Sequence, residues 1–141
     1  MEDINLMCYK EIVTHIEVAG DNLQAAKISR EYYEKEMFTL EPHDITGMGL
    51  DSQPKGNRSP HTMDYCYDKV KKCDEVIEIT REYIIALEAK KREIEKKMAG
   101  LEGLKYQVAK LKLVDGMKLA DIAEKLGYSE SHIKRISAEI G

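Results

Sequence analysis

The sequence predicts an all-α protein: a long antiparallel helical hairpin, paired as a coiled coil, followed by a small unit of three short helices. Three observations predict it. The 141 residues are 43% hydrophobic and 34% charged, with no Trp, one Phe and nine Gly, the profile of long surface helices whose polar faces need charge and whose seams need only narrow apolar stripes. Apolar residues recur at alternating steps of three and four over two long stretches. Beyond Gly100 the apolar spacing breaks into three short groups separated by glycine turns.

The first stretch places Tyr9, Ile12, Ile16, Ala19, Leu23, Ala26, Arg30, Tyr33, Met37 and Leu40 on one helical face. Within it, Gly20-Asp21-Asn22 combines a helix-stop glycine with a potential N-cap at Asp21, and Gln24 follows three residues later. A break or kink is expected there.

Residues 41–62 hold Pro42, Gly47, Gly49, Pro54, Gly56 and Pro60 among Asp, Asn and Ser, a composition suited to a loop and hostile to a helix. Lys55 and Arg58 within it read as part of a connection between two long helices.

The second stretch is the clearest pattern in the chain. Met63, Cys66, Val70, Cys73, Ile77, Thr80, Ile84, Leu87, Lys91, Ile94, Met98 and Leu101 alternate strictly by three and four, with Glu, Lys and Arg on the other faces. A helix of about 38 residues would reach about 57 Å and cannot bury its own seam. It needs a partner, either the first stretch or a second copy of the chain.

Gly100 and Gly103 loosen or end that helix. The domain boundary is therefore set here, with 1–100 as the hairpin and 101–141 as a separate helical unit. In the latter, Leu104, Val108, Leu111 and Val114 are spaced for one face and Asp115-Gly116 turns. Leu119, Ile122, Ala123 and Leu126 form a second helix, Gly127-Tyr128 turns again, and Ser129 caps a third helix carrying Ile133, Ile136 and Ile140.

Counted from Leu119, the apolar residue at the fourth place, alanine at the fifth, leucine at the eighth, glycine at the ninth and isoleucines at the fifteenth and eighteenth match helix-turn-helix spacing. The alanine permits a close crossing, the glycine reverses the backbone and the isoleucines seat the second helix on the first. That second helix would then offer Ser131, His132, Lys134 and Arg135 to base edges in the major groove of duplex DNA. Lys105, Lys110, Lys112, Lys118, Lys125 and Ser129 are the candidate phosphate contacts. Glu130 and Glu139 on the same helix would oppose phosphate.

The stretch YQVAKLKLVDGMKLADIAEKLGYSESHIKRI, Tyr106 to Ile136, resembles region 4 of sigma-70-type factors through Leu111, Asp115-Gly116, Ile122-Ala123, Leu126-Gly127 and Ser129. With a helical hairpin ahead of it, the chain resembles the sigma-like regulators of phages and prophages of Gram-positive bacteria, the RinA/ArpU type. The resemblance implies activation of phage genes and contact with RNA polymerase. It does not extend to sigma region 2, which melts promoters, so a complete sigma factor is not expected.

Charge agrees with this division of labour. Residues 1–100 hold 15 Lys and Arg against 20 Asp and Glu, whereas 101–141 hold 7 against 6, so nucleic-acid binding is expected only of the tail. Met1-Glu2-Asp3 lacks the start of a secretory signal and no apolar run approaches a membrane span, so a cytoplasmic location in a bacterial host cell is expected, away from membrane.

Cys8, Cys66 and Cys73 form neither a zinc pattern nor an even disulfide set and read as reduced thiols. His15, His43, His61 and His132 are scattered, and His43, Asp44, His61 and Cys66 make only a weak metal constellation. No phosphate loop, nucleophile elbow or metalloprotease motif occurs. No enzyme activity and no cofactor are expected. The leading expectation is a regulator that binds double-stranded DNA through its tail while the acidic hairpin supplies homodimer formation or contacts RNA polymerase. Two other classes fit the same pattern: a coiled-coil interaction module whose hairpin binds a partner coil without DNA binding, and a small-terminase-like DNA-packaging subunit. In the latter class the DNA-binding unit commonly precedes the oligomerising helices, the reverse of the order here.

Overall fold

In a computed structural model the protein is all-helical, with no strand among the described residues, which are 3–39 and 62–141. After a 3-10 turn at Ile4–Leu6, α1 runs from Tyr9 to Thr39 and α2 from Met63 to Met98. Three short helices follow: α3 (Gly103–Ala109), which widens into a π-helical turn at Lys110–Val114, then α4 (Leu119–Leu126) and α5 (Glu130–Ile140). The loop expected at 41–62 lies almost wholly outside the described residues, as do His43, Asp44 and His61 of the weak metal constellation.

Burial follows the two heptad seams closely. On α2 every seam position from Met63 to Leu101 is buried or half-buried, including Thr80 and Lys91, and Cys66, Ile77, Leu87 and Ile94 are the fully covered ones. On α1 the same holds from Tyr9 through Met37, with Ile12 and Ala19 buried. Of the polar members, Arg30 pairs with Asp74 and Glu34, and Lys91 with Glu95. A long amphipathic helix gains most of its stability from such packing rather than from propensity.

The break expected at Gly20-Asp21-Asn22 does not occur, and α1 is continuous through it. A glycine inside a helix costs only about 1 kcal/mol relative to alanine, and seam residues Ala19 and Leu23 on either side keep the helical register.

The chain divides into two compact units, one formed by Met1–Ala19 with Tyr83–Gly141 and the other by Gly20–Glu82. In the second unit, Arg30 meets Asp74 and the rings of Tyr33 and Tyr65 meet edge to face at 6.1 Å.

Among the described residues the first unit has two apolar clusters. One gathers Met7, Ile12, Leu87 and Ile94, with Ile4, Tyr9, Ile16, Tyr83, Met98 and Leu113 packed around them. The Tyr9 hydroxyl donates to Glu95 Oε1 at 2.9 Å, and the Tyr83 hydroxyl lies 3.2 Å from His15 Nδ1. The other cluster is the core of the three short helices: Val108, Leu111, Ile122, Ala123, Ile133 and Ile136, bordered by Leu104, Met117, Leu119, Leu126 and Ile140.

One short segment serves both clusters. Leu111 enters the tail core while Leu113, two residues on and so on the opposite side of the helix, packs on the cluster containing Met7 and Leu87. The π-helical turn itself is marked by the hydrogen bond from the Asp115 N–H to the Lys110 carbonyl at 3.1 Å.

Candidate nucleic-acid interface

The geometry of α4 and α5 begins with their apolar faces. Ile122 and Ala123 on α4 and Ile133 and Ile136 on α5 are buried in one cluster, and Leu126 borders it. The connection is three residues long. Gly127 sits in the left-handed region at φ +78°, and the N–H groups of Gly127 and Tyr128 both donate to the Ala123 carbonyl, at 2.9 and 3.0 Å. That closure ends α4. Ser129 then turns extended and its hydroxyl accepts from the His132 N–H at 3.2 Å, capping α5.

With Ile133, Ile136 and Ser137 inward, helical periodicity puts Ser131, Arg135 and Ala138 at the centre of the outward side of α5. Ser131, Lys134 and Arg135 are exposed, and His132 is half-buried on the flank. The His132 ring lies against the Tyr128 ring, with centroids 5.3 Å apart and planes inclined by 36°.

The candidate cations fall into two groups. Lys134 pairs with Glu130 at 3.4 Å, and Lys105 with Glu139 at 3.3 Å. Both acidic residues of α5 are therefore neutralised by neighbours, which removes much of their expected repulsion of phosphate. Lys112 extends its ammonium to the buried Ser137 hydroxyl at 2.6 Å. By contrast, Lys110, Lys118, Lys125 and Arg135 are exposed and form no ion pair among the described residues.

Asp115, in the turn before α4, is held below the ordinary carboxylate range chiefly by its hydrogen bond from Lys10, with Lys110 and Lys125 adding their positive field.

Two contributors lack a sequence signature. Lys10 lies far from the tail in the chain, in a helix whose periodicity points elsewhere, yet pairs with Asp115 at 2.7 Å. Tyr128 occupies a turn position for which helix-turn-helix spacing makes no demand. Its only signal is a large aromatic residue between a turn glycine and a capping serine.

All three cysteines are free thiols. Burial pushes the Cys66 thiol up, with Glu36 adding to the effect. Among the described residues no group of His, Cys, Asp and Glu is arranged to hold a metal ion, and no helix is long and apolar enough to cross a membrane. Compared with protein-family models, curated proteins and solved structures, the chain matches none of them.

Proposed function

We propose that this protein is a sequence-specific DNA-binding transcriptional regulator of phage or prophage genes, working in the cytoplasm of a bacterial host. In this reading α4 and α5 form a helix-turn-helix and α5 is the reading helix. The observation that carries it is the coincidence of two independent requirements. The apolar positions demanded by helix-turn-helix spacing are the ones that build the tail core, and this leaves Ser131 and Arg135 outward with Lys118 and Lys125 unpaired.

Arg135 is the base-reading residue of choice, since a guanidinium can donate two parallel bonds to a guanine edge. Ser131 and His132 contribute further edge contacts. Lys110, Lys118 and Lys125 bind phosphate, whereas Lys105, Lys112 and Lys134 act chiefly through their partners inside the protein. The resemblance to sigma region 4 supplies the phage and polymerase part of the proposal.

The long helices form an antiparallel hairpin in this reading. Support comes from pair order inside each unit: Tyr9 with Glu95 and His15 with Tyr83 in one, Arg30 with Asp74 and Tyr33 with Tyr65 in the other. Exposed Ile28, Tyr32, Val76 and Ile79 on these helices favour an additional protein contact, by self-association or with polymerase.

The test is binding of the full chain to duplex DNA over a range of salt. Specific binding is expected, with the logarithm of the affinity falling linearly with the logarithm of salt concentration. Arg135→Ala should lower affinity for the preferred site by about tenfold or more while leaving non-specific binding nearly intact. Unchanged affinity and preference would refute the assignment. A protein partner recovered together with no DNA binding at low salt would favour the interaction-module reading, and a ring-sized oligomer the packaging-subunit reading.

A further inference from the structure

The Tyr128–His132 ring contact links a turn residue without an assigned task to a base-reading candidate. Both ends of the contact are anchored. The Tyr128 backbone is pinned by its N–H bond to the Ala123 carbonyl directly after left-handed Gly127, and the His132 backbone by the Ser129 cap. Only side-chain torsions remain free, and the packed rings restrict those too.

The phenol is nevertheless 47% exposed, so its ring contributes little to the tail core, and it is absent from that core's cluster. What it does cover is the imidazole. His132 precedes Arg135 by three residues, so the flank residue and the outward-facing one are neighbours on the surface of α5.

We propose that Tyr128 is a positioning residue for sequence readout: its ring holds the His132 imidazole in one orientation beside Arg135, aimed at a purine edge in the major groove. This rests on the helix-turn-helix reading above. A surface imidazole left to itself spreads over several rotamers, and binding must then bear the cost of ordering it. Held in advance by the Tyr128 ring, the imidazole can hydrogen-bond purine N7 or guanine O6 without that loss. The role belongs to the aromatic face and not to the hydroxyl.

The experiment selects binding sites from a randomised duplex library with the full-length wild-type chain. Substitutions are then measured on the selected site and on single-base variants of it. Tyr128→Ala and His132→Ala should each lose about tenfold in discrimination at the same base pair, and the double variant should lose no more than either alone. Tyr128→Phe should keep discrimination within about twofold, and all variants should keep the wild-type salt slope. Far-ultraviolet circular dichroism checks that each is folded.

If the wild type selects no site, the DNA-binding reading itself fails, and this inference with it. If the wild type selects a site but Tyr128→Ala discriminates as well as wild type, the reading stands and the inference is overturned. Additive losses in the double variant, loss in Tyr128→Phe equal to that in Tyr128→Ala, or a silent His132→Ala would overturn it as well.

Discussion

The ammonium of Lys10 lies 2.7 Å from the Asp115 carboxylate, joining the first turn of α1 to the turn that precedes α4. The backbone at that turn is equally close to the N-terminal segment. A Cβ added to Gly116 would stand 3.2 Å from both Cβ and Sγ of Cys8, at a φ of +73°. The N-terminal residues are thus a structural part of the unit that carries the short helices, and their loss should be felt there.

The pH dependence of this contact follows from its two shifts. Asp115 is held below its ordinary value of 3.8, first by the Lys10 hydrogen bond, and Lys10 is raised above 10.5 by the same partner. The Asp115 contribution is complete above the unfolded-state value and disappears as pH falls through the lower folded value. The Lys10 contribution is complete below its unfolded value and disappears as pH rises through the higher folded one. Denaturant titrations of wild type and Asp115→Asn should therefore differ by a constant margin through neutral pH and converge in acid, below about 3.8. A margin that persists into strong acid would show that the substitution acts through something other than this charge pair.

Ile133 and Gly127 probe the tail by different routes. Ile133 is fully buried in the tail cluster, and Ile133→Ala should cost about 2–5 kcal/mol through lost burial and an unfilled cavity. Around Gly127 no atom lies within 4 Å of an added Cβ, so Gly127→Ala should cost only the strain of the left-handed backbone, about 1–2 kcal/mol. Gly127→Asn should cost less, since asparagine tolerates the left-handed region. Urea unfolding measures all three, and the ranking Ile133→Ala, Gly127→Ala, Gly127→Asn is the expected outcome.

Lys112 and Lys125 should separate stability from DNA binding. Lys112 donates to the buried Ser137 hydroxyl, so Lys112→Ala should destabilise by about 1 kcal/mol and leave the salt slope of DNA binding nearly unchanged. Lys125 is exposed, and Lys125→Ala should leave stability within about 0.5 kcal/mol but reduce the salt slope by about 1. The reverse pattern would reassign both lysines.

Of the three thiols, Cys66 should react most slowly with an aromatic disulfide reagent in the folded chain. It is fully covered, and burial disfavours its thiolate, whereas Cys8 and Cys73 are half-buried. Equal rates under native conditions would mean that the Cys66 seam opens readily.

What the sequence made legible, and what it did not, divides along physical lines. Burial along α1 and α2 could be read position by position, because a heptad seam is a local pattern repeated many times. The short-helix core was legible for the same reason, and Ser129 as a cap because its chemistry is local. Gly20 misled because a single unfavourable residue is weighed against packing that a local reading does not see. The π-helical turn at Lys110–Val114 leaves no periodic trace. Lys10 with Asp115 and Lys112 with Ser137 are contacts between side chains far apart in the chain, which charge patterning cannot pair. In the candidate interface, residue types were legible but their availability was not: Lys105, Lys112 and Lys134 look like Lys118 and Lys125 in the sequence and differ only in what lies beside them.

The central claim is that the outward face of α5 meets duplex DNA, and amide chemical-shift mapping of the labelled full chain tests it most directly. On titration with a duplex selected by the protein, the largest shifts should fall at Ser131, His132 and Arg135, with smaller ones near Lys118 and Lys125. Shifts confined to α1 and α2, or none at saturating duplex, would contradict it.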